Sequence, residues 1–199
     1  MGGDGDRRGF EVESSRVVLD DFFRVEEVVF RRRNEDGELA DPQRSLSLER
    51  GDSAAVLLHN VDTDRVILVD QFRYPAHASG GWIVETIAGM VDLNETPDNA
   101  IRRETLEETG YRLEDIRHLA TFYVSPGGSS EQIHLYFAEV TNAFRVGSGG
   151  GLPQEGEDIS LREYNPHALA DALAAGEFKD AKTLIAVLWF LGRQETGAS

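Results

Sequence analysis

Residues 97–109 carry the signals of a helix, and the charges on that helix restrict how the chain can fold around it. Thr96 is a favourable N-cap, Pro97 suits the first helical position, and Gly110 is a typical residue just past a helix end. The helix between these signals is strongly acidic. It must therefore present its carboxylates either to water or to a cation.

Three glutamates crowd one face of this predicted helix. At about 100° per residue, Glu107 and Glu108 lie roughly 60° and 40° from Glu104 around the axis. Like charges so close destabilise a helix by about 0.2–0.5 kcal/mol per pair. A divalent cation removes the repulsion, and carboxylate oxygens suit Mg²⁺ or Mn²⁺. For an isolated cluster of this kind, a solvated acidic face is the alternative interpretation.

The chain as a whole is strongly negative. Among its 199 residues, 20 are Lys or Arg and 36 are Asp or Glu, which gives a net charge of −16. This balance argues against nucleic acid or an anionic membrane as the main partner, because a surface that follows phosphates needs clustered cations. A small anionic substrate remains compatible if a metal ion bridges it to the protein. The absence of Cys excludes disulfides, Cys-ligated zinc and a thiol nucleophile.

No part of the sequence reads as a membrane span or a signal peptide. The longest apolar run, residues 184–191, is far shorter than the ~20 residues of a spanning helix. Residues 1–9 lack the apolar core of a signal peptide and are expected to form a flexible tail. We therefore expect a cytoplasmic protein.

Residues 10–48 are predicted to form a small antiparallel β lobe. Residues 17–19 and 22–33 are rich in Val and Phe, and the Asp36-Gly37 pair that follows is a strong turn signal. Residues 45–48 alternate polar and apolar side chains, as a half-buried strand does. Three strands alone are marginal in water, so the lobe is expected to pack on the main domain or on a second subunit.

Residues 49–199 are predicted to form the main domain, with a mixed sheet and a few helices, an α+β fold. Residues 165–176 and 180–191 read as two further helices, and the last is apolar nearly all round and is therefore expected to be buried. Residues 147–151 read as a flexible Gly/Ser hinge. Strands are expected at residues 54–59, 65–72, 82–86, 90–92, 119–124, 132–140 and 159–164.

The acidic helix belongs to a longer pattern of fixed spacings. The pattern resembles the Nudix box, G-x5-E-x7-R-E-U-x-E-E-x-G-U, in which U is a bulky apolar residue. Two packing positions depart from it, with Thr105 at the first U and Tyr111 at the last. The matching charged and glycine positions are Gly89, Glu95, Arg103, Glu104, Glu107, Glu108 and Gly110.

This resemblance implies a Nudix fold, an α/β/α sandwich with a mixed sheet, whose box holds divalent metal ions against a substrate diphosphate. Glu104 and Glu108 are then principal metal ligands, with Glu107 as a ligand or a water-mediated neighbour. The Ala88 carbonyl and Glu157 are expected to complete the metal shell. The implied ions are Mg²⁺, with Mn²⁺ as the alternative.

Two residues are implied as catalytic. Glu155 is the expected general base by its match to the late acidic loop of this branch, residues 155–159. Arg103 is expected to pair with Glu95 and so to brace the loop of the box against its helix. A solvated acidic run is the alternative interpretation of residues 155–159.

Matches outside the box narrow the branch to hydrolases of nucleoside diphosphate sugars. Residues 71–73 (QFR) follow an apolar strand, and residues 125–131 (SPGGSSE) resemble the S-P-G-G-x-x-E loop of that branch. Each has a simpler alternative, an exposed strand-end charge in the first case and a plain turn in the second. The residues implied in substrate binding are Arg73, Glu85, Ser125, Gly127, Gly128 and Glu131.

The function implied by the resemblance is hydrolysis of ADP-ribose to AMP and ribose 5-phosphate. Tyr74-Pro75-Ala76 favours this substrate, whereas Ile133-His134 and residues 180–183 (DAKT) look more like the GDP-mannose hydrolases. Hydrolysis of GDP-mannose or another nucleotide sugar is therefore the first alternative, and a non-catalytic Nudix module that senses nucleotides is the second. Members of this branch use the N-terminal lobe to dimerise, so we expect a homodimer.

Overall fold

The computed structural model describes residues 9–152, 156 and 158–196, and the chain divides into two compact units. The first unit contains Met1–Gly51 and Tyr123–Glu131, and the second contains Asp52–Phe122 and Gln132–Ser199. The predicted tail at residues 1–9 lies outside the described residues apart from Gly9. No helix among the described residues is long and apolar enough to cross a membrane.

The first unit contains a three-stranded antiparallel sheet, as predicted, in the order β1-β2-β3. Its strands are β1 (Phe10–Asp20), β2 (Arg24–Arg32) and β3 (Gln43–Glu49). Strand β1 begins at Phe10 rather than at residue 17. Every residue of β1 is exposed, so the strand has no buried face whose alternation the sequence could reveal.

The second unit is built on a seven-stranded mixed sheet. Its strands are β4 (Ser53–Asn60), β5 (Arg65–Phe72), β6 (Trp82–Glu85), β7 (Ile87–Met90), β8 (Arg117–Tyr123), β9 (Gln132–Val140) and β10 (Ile159–Tyr164). The main path runs β10-β5-β4-β9-β8, with β6 beside β5 and β7 beside β4. Strand β4 pairs in parallel with β9 and antiparallel with β5 and β7.

Helices cover both faces of this sheet, which confirms the predicted α/β/α arrangement. They are α1 (Pro97–Thr109), α2 (Pro166–Ala174) and α3 (Ala181–Thr196). Val56 and Leu58 of β4 pack in one core with Ile101 of α1, whereas Leu57 lies in the other core with Phe190 of α3. All of β4 is buried because helices lie on both of its sides.

The structure differs from the sequence predictions at several further places. Strand β7 (Ile87–Met90) lies earlier than the strand expected at residues 90–92. Helix α3 extends to Thr196, and it is not buried all round, because Leu188 is 58% exposed. Trp82, a residue type that is on average largely buried, is 52% exposed. A short 3₁₀ helix at Tyr74–Ser79 was not predicted, although Pro75 lies in its first turn and Gly80, with φ +93°, ends it. Residues 147–151, expected to be a hinge, are hydrogen-bonded through backbone amides to the end of α1.

Candidate active site

Helix α1 forms where the sequence predicts it, because its end signals are satisfied. The Thr96 hydroxyl accepts a hydrogen bond from the Asn99 amide at 3.3 Å, and the Gly110 amide donates to the Leu106 carbonyl at 3.0 Å. Thr105, one of the two departures from the box pattern, is fully buried and donates its hydroxyl to the Ile101 carbonyl at 2.6 Å. The polar group at this packing position is thus satisfied within the helix.

The three box glutamates differ in exposure along the same helix. The Glu104 and Glu107 side chains are 14% and 27% exposed, whereas Glu108 is only 2% exposed. A buried carboxylate is costly unless it is paired or coordinates a cation. The burial of Glu108 argues against a fully solvated acidic face and is compatible with the metal interpretation of the cluster.

Arg103 lies among these carboxylates and pairs with Glu95, as predicted. Its Nη2 and Nε atoms donate to Glu95 at 3.0 and 3.3 Å, and Nη2 also donates to the Met90 carbonyl at 3.2 Å. Its Nη1 atom reaches Glu104 at 2.7 Å and Glu107 at 3.4 Å, two contacts that the sequence did not predict. Hydrogen bonds from Arg103 hold the pKa of Glu95 below its usual value, and Glu95 in turn raises the pKa of Arg103.

The first residue of the box, Gly89, lies on strand β7, and this strand lies next to helix α1. Ala88 and Gly89 lie opposite Ala55 and Ala54 of β4. The backbone of Gly89 lies so close to the Glu104 carboxyl that no side chain fits between them. The absence of a side chain at residue 89 thus allows the Glu104 carboxylate to lie against the strand that contains Ala88.

The donor set fits a hard divalent cation. Carboxylate oxygens on one helix face and a backbone carbonyl are the ligands that Mg²⁺ and Mn²⁺ prefer. Within residues 9–152, 156 and 158–196, no three His, Asp or Glu side chains already converge as a cation site. Instead, the single positive charge of the Arg103 guanidinium is shared among Glu95, Glu104 and Glu107. Glu157 and Glu155 lie outside the described residues.

Arg73 and Glu85, both predicted to bind substrate, form an ion pair at the end of β5. The Arg73 Nε donates to Glu85 Oε1 at 3.1 Å, and Lys182 Nζ donates to Glu85 Oε2 at 2.7 Å. Glu85 is therefore held from both sides, whereas the Arg73 side chain is 44% exposed. Lys182 was not among the predicted site residues, although it lies in residues 180–183 (DAKT), which resemble the GDP-mannose hydrolases.

Lys182 is itself fixed by the start of α3. Its Nζ lies 3.0 Å from Asp180 Oδ1, and the other Asp180 oxygen accepts hydrogen bonds from the Thr183 amide and hydroxyl at 2.9 and 2.6 Å. Asp180 thus caps α3, which begins at the next residue. The Thr183 hydroxyl also accepts from the Thr86 amide at 2.8 Å, so the end of β6 is tied to α3.

The remaining predicted substrate residues lie in the first unit, in the loop that follows β8. The Gly128 and Ser129 amides both donate to the Ser125 carbonyl at 3.0 Å, so the segment forms a turn, which was its simpler alternative interpretation. The Leu48 amide of β3 donates to the Gly128 carbonyl at 2.8 Å. Glu131 is 8% exposed and pairs with Arg50 at 3.6 Å.

This loop and β3 line an open pocket with a volume of about 300 Å³. None of its lining residues is charged, and four of them are serines. The sequence did not predict the contribution of β3. The lining residues are Ser45, Leu46, Ser47, Tyr123, Pro126, Gly127, Gly128, Ser129 and Ser130.

Comparison with known proteins identifies a domain that contains the box residues. The NUDIX domain family model matches residues 49–187. GDP-mannose pyrophosphatases from Escherichia coli O1:K1 / APEC and from Shigella flexneri serotype 5b (strain 8401) are both similar to this chain. Each is 35% identical over 173 residues, which cover 85% of this chain and 88% of the relative.

Proposed function

Because the chain belongs to the Nudix family, we propose that it hydrolyses the diphosphate of a nucleoside diphosphate sugar, with GDP-mannose as the first substrate to test. The observation that carries the proposal is the complete set of box carboxylates on α1, with Glu108 buried and Glu104 held against β7. Hydrolysis of GDP-mannose at the diphosphate gives GMP and mannose 1-phosphate.

ADP-ribose, the substrate favoured by the sequence, takes second place. The similarity to GDP-mannose pyrophosphatases over most of the chain supports GDP-mannose, as do Ile133-His134 and residues 180–183. Tyr74-Pro75-Ala76 still favours ADP-ribose, whose products are AMP and ribose 5-phosphate. Both reactions break the same bond type, so one site supports either.

Nudix hydrolases generally use divalent metal ions, and we propose Mg²⁺ for this enzyme. Glu104, Glu107 and Glu108 hold the ions, with the Ala88 carbonyl and Glu157 as further ligands. When bound, such ions neutralise the diphosphate and stabilise the negative charge that develops on the displaced oxygens.

The other residues bind and orient the substrate. Arg73 offers a planar guanidinium to a phosphate or base. Glu85, itself bonded to Lys182, accepts a hydrogen bond from this guanidinium and orients it. Ser125, Gly127, Gly128 and Glu131 contribute sugar contacts.

Two residues act on the attacking water and on the box. Glu155 accepts the proton of the water. Arg103 braces the box through Glu95 and keeps Glu104 and Glu107 together on their helix face.

The proposed enzyme is a cytoplasmic homodimer. Strand β1 is an edge strand with every residue exposed, including several large apolar side chains. Such an edge is a pairing hazard unless another chain covers it. A second copy of the same chain is the occupant that the family resemblance implies.

A substrate screen tests the proposal. The purified chain is incubated with Mg²⁺ and GDP-mannose, ADP-ribose, UDP-glucose or a diadenosine polyphosphate, and phosphatase-coupled phosphate release reports the monoester products. GDP-mannose should give the highest kcat/KM.

In the same assay Glu155→Gln should lower kcat by ~10²–10⁴-fold, and Glu157→Gln should raise the Mg²⁺ concentration for half-maximal rate. Binding of a nucleotide sugar without cleavage would instead indicate a sensing module.

A further inference from the structure

The segment at residues 147–151, here called the glycine clamp, runs antiparallel beside the end of α1. Just before it, the Arg112 amide donates to the Phe144 carbonyl at 2.9 Å, and Tyr111 bridges to Arg145. The same series of backbone hydrogen bonds then continues to the last residues of α1.

Two amides of the clamp bond to the last turn of α1, and a third bonds to Gly110, just after the helix. The Gly147 amide donates to the Gly110 carbonyl at 3.1 Å, and the amides of Gly150 and Gly151 donate to the carbonyls of Glu108 and Glu107 at 2.8 and 3.1 Å. The carbonyls of a helix's last turn have no partner within the helix and normally bond to water or to a capping residue. Here the amides of the clamp donate hydrogen bonds to the backbone carbonyls of Glu107 and Glu108, two proposed metal ligands.

Gly149 permits this close approach. Its φ is +68°, which disfavours any residue with a side chain. A Cβ at this position would lie 2.5 Å from the Glu108 carbonyl oxygen and 2.7 Å from the Thr109 Cα. These obstacles are backbone atoms of α1, so they cannot move aside as a flexible side chain would. A side chain at residue 149 must therefore separate the clamp from the helix.

We propose that the glycine clamp is a positioning element for the metal site, because it fixes the last turn of α1 and thereby the directions of Glu107 and Glu108. The inference rests on the proposed function, which makes these two residues metal ligands. Loss of a group that hydrogen-bonds to a metal ligand and orients it typically lowers metal affinity or activity by about 10–100-fold. The clamp thus acts as a fixed support and not as a hinge.

The test is Gly149→Ala, with Gly176→Ala as its matched control. Gly176 has nearly the same backbone φ, +71°, and follows the end of α2, but a Cβ there meets nothing within 4 Å. Both variants carry the backbone strain of an alanine in the left-handed region, and Gly149→Ala alone displaces the clamp. Mn²⁺ is the probe, measured by the loss of the free-ion signal in electron paramagnetic resonance.

Gly149→Ala should weaken Mn²⁺ binding by about 10–100-fold, while the KM for GDP-mannose at saturating metal changes little. Gly176→Ala should keep wild-type Mn²⁺ affinity even though both variants lower the melting temperature. Equal Mn²⁺ affinity in Gly149→Ala and wild type would overturn the inference alone. A wild-type protein that binds no Mn²⁺ would overturn the proposed function, and the inference with it.

Hydrogen exchange of the wild-type protein tests the fixed position of the glycine clamp even if Gly149→Ala fails to fold. In the metal-free wild-type protein, the clamp predicts that the amides of Gly150 and Gly151 exchange at least about 100-fold more slowly than unprotected amides. A hinge that closes only over substrate predicts exchange at the unprotected rate. That second result would overturn the inference without bearing on the reaction.

Discussion

The backbone of Gly89 lies directly against the carboxyl group of Glu104. A Cβ built at residue 89 would lie 1.9 Å from Glu104 Cδ and 2.0 Å from Oε1. Any side chain at this position must therefore push the Glu104 carboxylate away from β7. The box glycine is thus required for the placement of a proposed metal ligand, and this requirement does not depend on backbone conformation.

Gly89→Ala should lower Mg²⁺-dependent kcat/KM by about 10–100-fold, because the Glu104 carboxylate is displaced. The fold should survive, since the obstructing atoms belong to the end of a flexible side chain. Gly192→Ala is the control, because a Cβ at that helical position meets nothing within 4 Å. Wild-type kcat/KM in Gly89→Ala would show that the position of Glu104 does not matter.

Lys182→Met should reduce the free energy of unfolding by about 3 kcal/mol. The change removes one of the two cations that neutralise the buried Glu85 carboxylate, and an uncompensated buried charge is costly. Lys179→Met, at the one other lysine, which is exposed, should change stability by less than about 0.5 kcal/mol. Urea unfolding measures both, and equal values for the two variants would contradict the role assigned to Lys182.

The stability contributed by Glu95 should depend on pH. Hydrogen bonds from Arg103 hold the pKa of Glu95 below its usual value near 4.5. A carboxyl with a lowered pKa contributes stability above its unfolded pKa, and this stability is lost as pH falls through the folded pKa. The melting temperature of metal-free Glu95→Gln should therefore lie below that of wild type at about pH 7. The difference should shrink progressively below about pH 4.5.

The same comparison with Glu114→Gln, at an exposed position, provides the control. Its melting temperature should follow that of wild type throughout the range. A Glu95→Gln deficit that stays constant from about pH 7 to pH 3 would show that the Arg103 pair does not require an ionised Glu95.

Light scattering at micromolar protein should give about twice the chain mass of 22.0 kDa. Val18→Arg, on β1, should shift the mass toward the monomer because it places a charge on the strand proposed to meet the second copy. Val61→Arg is matched to it, since Val18 and Val61 are both 45% exposed and Val61 lies in a turn. An active wild-type monomer would contradict the proposed dimer.

Elements with local signals could be predicted from the sequence. Thr96, Pro97 and Gly110 define α1 at both ends, and the structure places the helix between them. Strands β5, β9 and β10 also begin and end where predicted, because turn residues bound their apolar runs.

Features that depend on distant residues could not be predicted. Lys182 and Glu85 are 97 positions apart, and no sequence pattern links them. The amides of the glycine clamp bond to backbone carbonyls. Every residue has such a carbonyl, so the sequence does not show which residues accept these hydrogen bonds. The apolar run of α3 does not show which side faces the sheet, and Leu188 therefore lies in solvent against expectation.

Glu104→Gln and Glu108→Gln test the central claim that the box carboxylates of α1 hold the metal for diphosphate hydrolysis. Each change keeps the shape of the side chain but removes an anionic ligand. The measurement is GDP-mannose hydrolysis over a range of Mg²⁺ concentrations, with Glu114→Gln as control. We predict that kcat falls by at least about 100-fold in both variants and stays at the wild-type value in the control. Near-normal Mg²⁺-dependent turnover in both Glu104→Gln and Glu108→Gln would contradict the account.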